Sequence, residues 1–335
     1  MMSAGTRRSK DFRFLYAGFV VLLGLVALIG CGGGGGGGGS VASGPAPITY
    51  IGNTSQALIT ATNATDLATE SLIGAQTGSV FSLGMGSEQP STGSDASLFV
   101  YKFPAILQGA ATNIDFSERT AGAALITESD TILGSCGGSV NYTLSVEDTT
   151  GAFSGTFAFT QYCDGDIVIS GPVAVDGSIS LSTREIEFIH FNFNNVSSGD
   201  IALSGDVTTD VTGMPVIITM DFRVRDNVTG KVFWVNDYTL SITETSATAI
   251  EVDITGTYYN PDYGYITIAT PVTDPLVIDD SVSPWPKDGI IIYEGEGNTS
   301  AQLTVLDELS YRVVADTDGD AIDDYDSDVL FWADL

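Results

Sequence analysis

The chain has 335 residues and a formal net charge of −30, because 42 acidic residues stand against 12 basic ones. This excess of negative charge excludes nucleic acid as a partner, since proteins bind phosphates mainly through lysine and arginine. Hydrophobic residues make up 43% of the chain and charged residues only 16%. That balance excludes a disordered chain and is ample for a large buried core.

The N-terminus has the layout of a bacterial export signal. A basic segment, residues 7–13, precedes an apolar stretch that closes with Leu28, Ile29, Gly30 and Cys31. This motif resembles the lipobox of bacterial lipoproteins, which implies that residues 1–30 are a signal peptide and that Cys31 is acylated, with palmitate among the expected fatty acids. With Gly32 after the cysteine, the resemblance implies the outer membrane. A transmembrane anchor is the alternative, although residues 12–29 are at the short limit for a span of about 30 Å.

Residues 31–47 are predicted to form a flexible tether rich in glycine, serine and proline, with glycine at every position from 32 to 39. Such a segment behaves as a coil, and sixteen residues of it reach about 20–24 Å on average. We therefore expect residues 48–335 to form a single β-rich domain that stands off the membrane.

Alternation of apolar and polar residues dominates the predicted domain. Residues 216–225 and 232–242 alternate on either side of a turn, and pairing Phe222 with Trp234 gathers the apolar side chains on one face. Further strands are predicted at residues 167–175, 178–181, 186–193, 200–208, 250–257, 265–270, 289–293, 303–305, 311–315 and 329–332. A helix is predicted only at residues 63–74, with Leu67, Leu72 and Ile73 inward.

These elements predict an all-β fold, either a large antiparallel sheet or a β-sandwich of long meandering hairpins, with one short helix near the N-terminus. A β-barrel is the alternative, because strands of about 13 residues are long enough to span a membrane.

Two cysteines flank another predicted hairpin, with its turn at residues 148–151. Pairing Val146 with Phe153 sets two apolar series face to face, and the same register places Cys136 opposite Cys163. Thiols of an exported protein oxidise, so the register predicts a disulfide between them. Its expected role is structural, since redox pairs more often have a Cys-x-x-Cys spacing.

A calcium site is predicted near the C-terminus, where acidic residues stand at nearly alternate positions: Asp316, Asp318, Asp320 and Asp324. In a loop this spacing directs several carboxylate oxygens at one point, as Ca²⁺ requires. The segment resembles the aspartate-rich calcium loops of thrombospondin type 3 repeats. It departs from an EF-hand, because Ala321 stands where that loop needs glycine. An acidic hairpin turn without metal is the alternative.

A group of tyrosines surrounds a predicted turn at residues 260–262 and consists of Tyr258, Tyr259, Tyr263 and Tyr265. Such rings could stack on a sugar ligand. The alternative is that they cover the sheet and pair across strands.

The single histidine, His190, lies on a predicted strand between Phe188 and Asn192. With no Ser-Gly elbow or metal-ligand pattern nearby, it does not indicate a catalytic triad or a zinc site. Carboxylates are too numerous for the sequence to single out a glycosidase-type pair.

The sequence therefore predicts a lipid-anchored envelope or cell-surface protein with a non-catalytic structural or ligand-binding role. Its start at residues 50–55, its cysteine hairpin and its acidic tail resemble an uncharacterised group of bacterial envelope lipoproteins. The expected partners are the membrane, through Cys31, and an envelope protein or polysaccharide. No cofactor is expected apart from Ca²⁺. The alternatives are a transmembrane outer-membrane barrel and a secreted hydrolase acting on polysaccharide.

Overall fold

The structure is a computed structural model that describes residues 45–83, 125–165, 167–183, 185–246, 248–279, 283 and 285–335. The predicted signal peptide, Cys31 and the tether as far as residue 44 lie outside these ranges. Residues 44–335 form one compact unit, in which the described strands make a single 16-stranded sheet.

The sheet is an antiparallel meander in which nearly every strand pairs with the next one along the chain. The strands are β1 (Leu125–Leu133), β2 (Gly137–Glu147), β3 (Ala152–Asp164), β4 (Ile167–Ile179), β5 (Ile186–Ser198), β6 (Ile201–Asp210), β7 (Val216–Asp226), β8 (Val232–Glu244), β9 (Ala249–Asn260), β10 (Gly264–Ala269), β11 (Leu276–Asp279), β12 (Pro286–Asp288), β13 (Ile290–Glu294), β14 (Ser300–Asp307), β15 (Ser310–Asp316) and β16 (Tyr325–Phe331). Only β11 and β12 leave the linear order: β11 pairs with β9 and β12, and β10 pairs with β13. The predicted all-β class and long hairpins are confirmed.

Strands β1 and β16 form the two edges of the sheet, and among the described residues they pair with β2 and β15 alone, so the sheet is not closed. Both edges carry features that oppose further strand pairing. On β1, Glu128 and Asp130 stand opposite the buried Leu144 and Tyr142 and place charge on the apolar face. On β16, Asp328 has a φ of 60°, which interrupts the extended backbone. The edges are therefore poor templates for another chain.

The two faces of the sheet differ sharply in polarity. Along β3, for example, Phe157 is fully buried while its neighbours Thr156 and Ala158 lie on the opposite face. The buried face continues across the adjacent strands through residues such as Val173 and Phe191. We call it the inner face, and the polar face the outer face. Burial of aromatic and branched side chains on the inner face supplies most of the apolar stabilisation.

One α-helix, α1 (Ala64–Leu83), is described, and it packs on the inner face. It contacts β6, β7, β8 and β9 and also β14 and β15, so the sheet curves around it. Leu67 and Leu72 are buried as predicted. The helix continues beyond the predicted end at Gly74. This glycine does not end the helix but allows it to pack closely on the sheet, since a Cβ there would lie 2.9 Å from Cγ2 of Val235.

An extended segment, residues 46–60, precedes α1 and crosses the strands near one end of the sheet; we call it the strap. The strap does not form an ordinary strand pair. Its main-chain groups make most of its hydrogen bonds to the sheet. Its partners follow one another across the sheet: Ala46 bonds to Asn195 of β5, Ile48 to Ser204 of β6, Ala57 to Tyr265 of β10, and Ile59 to Thr299 beside β14. The strap leads along the chain into α1.

The predicted register of the β7–β8 hairpin is wrong by one residue next to the turn and by two residues beyond a bulge in β8. Phe222 pairs with Val235, and Trp234 pairs with Arg223 on the outer face. A bulge accommodates the shift, because Asp237 of β8 adopts a φ of 52° opposite the step from Met220 to Phe222. A shift of one residue moves a side chain to the other face of the sheet. Trp234 therefore leaves the core, and Val235 takes its place.

Candidate functional site

The acidic loop after β15 brings three carboxylates together. Ligand oxygens of Asp316, Asp318 and Asp324 all lie within 4.8 Å of one another. Asp316 is buried, whereas the other two are exposed to solvent. Three convergent carboxylates form the kind of oxygen-rich group that a hard divalent cation prefers.

The loop is shaped by hydrogen bonds from its own backbone to Asp316. Its Oδ1 accepts the N–H of Gly319 at 2.7 Å, and its Oδ2 accepts the N–H of Ala321 at 2.7 Å. Burial opposes ionisation, but these bonds, together with those from Asp318 and Asp320, lower the pKa of Asp316 below its usual value. Asp316 is therefore a fixed negative charge at the base of the loop.

Asp318 is electrostatically strained by its neighbours. The charges of Asp320 and then Asp324 raise its pKa, with further contributions from burial and Asp316. A bound cation would relieve this repulsion. Asp320, the fourth predicted ligand, is not part of the convergent group; its Oδ1 accepts the N–H of Ile322 at 2.9 Å.

The four predicted ligand-binding tyrosines do not form one surface, because they lie on both faces of the sheet and in a turn. Tyr258 is buried on the inner face, where its hydroxyl donates to Oε2 of Glu70 at 3.1 Å. Tyr259 and Tyr265 pair on the outer face, with ring centroids 5.3 Å apart. Tyr263 lies in the β9–β10 turn, and its carbonyl accepts a hydrogen bond from Asn53 of the strap.

The outer pair belongs to a row of stacked side chains across β7 to β10. Arg223 lies 4.6 Å above the ring of Trp234, and Trp234 stacks on Tyr259 at 4.5 Å. The strap adds Tyr50, whose ring is 5.5 Å from that of Tyr259. The two faces of the indole are thus occupied by an arginine and a tyrosine. This arrangement is a cross-strand ladder, in which the rings stack mainly on one another.

Glu70 of α1 is a half-buried carboxylate that the sequence did not single out. Besides the Tyr258 hydroxyl, its Oε2 accepts Nδ2 of Asn260 at 2.7 Å. Burial raises the pKa of Glu70, and the two hydrogen bonds only partly oppose it. Asn260 is itself 2% exposed, and its Oδ1 caps the β9–β10 turn by accepting the N–H of Asp262 at 2.8 Å. The carboxylate therefore ties the helix to this hairpin.

Cys136 and Cys163 lie at disulfide-bonding distance, with their Cα atoms 5.1 Å apart, as the register predicted. The predicted pairing holds along the hairpin from Val146 and Phe153 as far as Ser139. A bulge then shifts it by one residue, and the N–H of Cys136 donates to the carbonyl of Cys163 at 3.2 Å. The pair joins the β1–β2 turn to the end of β3.

His190 has partners that the sequence did not reveal. On the outer face, Nδ1 lies 2.8 Å from Oδ1 of Asp176 on β4, and Nε2 lies 2.9 Å from Oδ1 of Asp206 on β6. The same oxygen of Asp206 accepts Nδ2 of Asn192 at 2.7 Å. The side-chain contacts that the structure describes for the ring are therefore to carboxylates on both neighbouring strands.

Comparison with protein-family models, with curated proteins and with solved structures finds no match to this chain. Within the described residues, no helix has the length and apolar character needed to cross a membrane. The fold and site together define an all-β protein built on one open meander sheet, with a carboxylate loop at its C-terminal end.

Proposed function

We propose that the chain is an exported, lipid-anchored protein of the cell envelope with a non-catalytic structural or ligand-binding role. The observation that carries the proposal is the lipobox-like motif that ends at Cys31, followed directly by the glycine tract. The strap is compatible with it, because Ala46, near the end of the predicted tether, is hydrogen-bonded to Asn195 of the sheet. A folded domain attached in this way would face the aqueous side of the membrane and could bind an envelope protein or polysaccharide.

Metabolic labelling with radioactive palmitate tests the anchor. The chain has three cysteines, so Cys31→Ala can be compared with a double variant, Cys136→Ala with Cys163→Ala. We expect wild type and the double variant to incorporate label and Cys31→Ala to lose it. Label that persists in Cys31→Ala, or is absent from wild type, would contradict the proposal.

Carbonate extraction tests how the domain is held. Several acyl chains, each contributing about 0.8 kcal/mol per buried methylene, give a stable anchor. We expect wild type to stay with the membrane fraction and Cys31→Ala to be released by carbonate. Retention of the variant would show attachment through the protein itself, as in the transmembrane alternative.

We further propose that the acidic loop binds Ca²⁺. The convergence of Asp316, Asp318 and Asp324 and the repulsion that raises the pKa of Asp318 support it. Ligand binding to the folded state alone stabilises it by RT ln(1 + [Ca²⁺]/Kd). We therefore expect a higher melting midpoint in millimolar Ca²⁺ than in EDTA with NaCl added to matched ionic strength.

Two substitutions separate coordination from charge screening. Asp318→Asn removes a convergent carboxylate, whereas Asp320→Asn removes the same charge from a residue outside the group. We expect the calcium-dependent shift to disappear in the first variant and to persist in the second. Equal midpoints in wild type, or a shift that survives Asp318→Asn, would leave the loop as an acidic turn.

A further inference from the structure

His190 stands between two carboxylates that belong to different strands. The ring is on β5, with a side-chain exposure of 28%, while Asp176 comes from β4 and Asp206 from β6. These residues share a row across the sheet, since His190 pairs with Asp176 on one side and with Thr208, two residues beyond Asp206, on the other. Each ring nitrogen therefore points at an acidic oxygen on a neighbouring strand.

Only one protonation state satisfies both contacts. A neutral imidazole has a single N–H, so one of its nitrogens would present a lone pair to a carboxylate oxygen at 2.8 or 2.9 Å. The imidazolium donates from both nitrogens, and each bond is then assisted by charge on both partners. The geometry thus selects the doubly protonated ring.

The surroundings of the ring are otherwise acidic or neutral. Asn192 of the same strand also donates to Asp206. Asp206 is therefore an acceptor in both contacts, as an ionised carboxylate is. One strand further on, Asp221 of β7 pairs with Asp206 and is already engaged by Arg223 and Trp234. No cation among the described ion pairs competes with His190 for Asp176 or Asp206.

We propose that His190 is a proton-dependent tie across the outer face, an imidazolium that joins β4, β5 and β6 through Asp176 and Asp206. Loss of the proton would leave one of the two carboxylates facing an unprotonated ring nitrogen and loosen this part of the sheet. The proposal is independent of lipid anchoring and calcium.

The sign of the pH dependence follows from the contacts. Burial favours the neutral ring, but the hydrogen bonds and charges of Asp206 and Asp176 outweigh it, so the pKa of His190 is raised from 6.5. A group with a raised folded pKa stabilises the fold fully below its unfolded value and loses that contribution as the pH rises through the folded value. The imidazolium contacts are therefore fully formed below the ordinary pKa of 6.5 and are lost as the pH rises through the raised pKa of His190 in the folded protein.

Because the chain contains a single histidine, its titration can be read without assignment. The full-length protein, labelled with ¹⁵N-histidine and purified in detergent, would be followed by NMR across the pH range. We expect one transition with a midpoint above 6.5, the ordinary value, and ¹⁵N shifts of a doubly protonated ring on its acidic side. A midpoint at or below 6.5 would overturn the proposal.

Variants test whether the two aspartates cause the shift. Asp176→Asn and Asp206→Asn should each lower the midpoint, whereas the control Asp200→Asn, in the β5–β6 turn, should leave it in place. Amide protection in β4 and β5 of wild type should fall roughly two- to fivefold above the transition, as expected for a half-exposed ion pair. Midpoints that are equal in all four proteins would show that the two aspartates do not raise the pKa of His190 and would refute the tie.

Discussion

Replacing Glu70 tests whether α1 is fixed to the sheet by its half-buried carboxylate. Glu70→Ala would remove the acceptor of the Tyr258 hydroxyl and of Asn260 Nδ2. Both donors belong to residues no more than 3% exposed, so water does not readily replace the lost partner. A buried donor left without an acceptor costs about 1–3 kcal/mol. For two donors, we expect the free energy of unfolding to fall by about 2–6 kcal/mol.

Glu70→Gln separates the hydrogen bonds from the charge. The amide oxygen still accepts both bonds, and the cost of burying a charge disappears. Since burial raises the pKa of Glu70, wild type should gain stability as the pH falls through the folded pKa and the carboxyl becomes protonated. Glu70→Gln should lack this gain and should match or exceed wild type at neutral pH.

Urea denaturation at two pH values, followed by tyrosine and tryptophan fluorescence, measures these differences. Asp66→Asn is the matched control, because it removes a negative charge from an exposed position of the same helix. Its cost should stay below about 1 kcal/mol, the usual size of a helix-dipole contribution. Two results would show that the carboxylate does not hold the helix. One is a loss of stability in Glu70→Ala no larger than that in the control. The other is a loss in Glu70→Gln as large as that in Glu70→Ala.

Two further predictions concern the turns and the strap. Cys136 and Cys163 are 27 positions apart, so reduction of their bond should lower stability by about 3–4 kcal/mol on the chain-entropy estimate, and two alkylatable thiols in non-reduced protein would contradict the pairing. Gly264 has a φ of 104°, and a Cβ there would lie 2.2 Å from the Ser55 carbonyl. Gly264→Ala should therefore displace the strap and cost about 1–3 kcal/mol, which limited proteolysis would report as new cleavage within residues 46–60; an unchanged digestion pattern would refute the contact.

The long hairpins could be predicted because their sequence signals are local. Alternation over ten or more residues, ended by turn residues, identifies the strands from β2 to β9. Strand β1 was missed because its central residues, such as Glu128 and Asp130, are those of an exposed edge rather than a core strand. The short strands β11 and β12 contain too few residues for alternation to be recognised.

The strand registers and the partners of residues distant in the chain were harder to predict from the sequence. The bulge in β8 is placed at Asp237, and a non-glycine residue with positive φ leaves no clear sequence signal. The carboxylate loop was predictable because its residues are close in the chain, although the sequence could not show that Asp320 turns away. His190 meets Asp176 and Asp206 only through the registers of two successive hairpins, both of which contain shifts.

The strap has a consequence for the order in which the chain acquires its structure. Its hydrogen bonds join residues separated by 149 positions at Ala46 and by 240 positions at Ile59. The hairpins, by contrast, close over a few residues and can form one after another as the chain emerges. Contacts between distant segments form late, because a long loop must close first. We therefore expect the strap, although it is synthesised before the strands, to dock last, after β14 has formed.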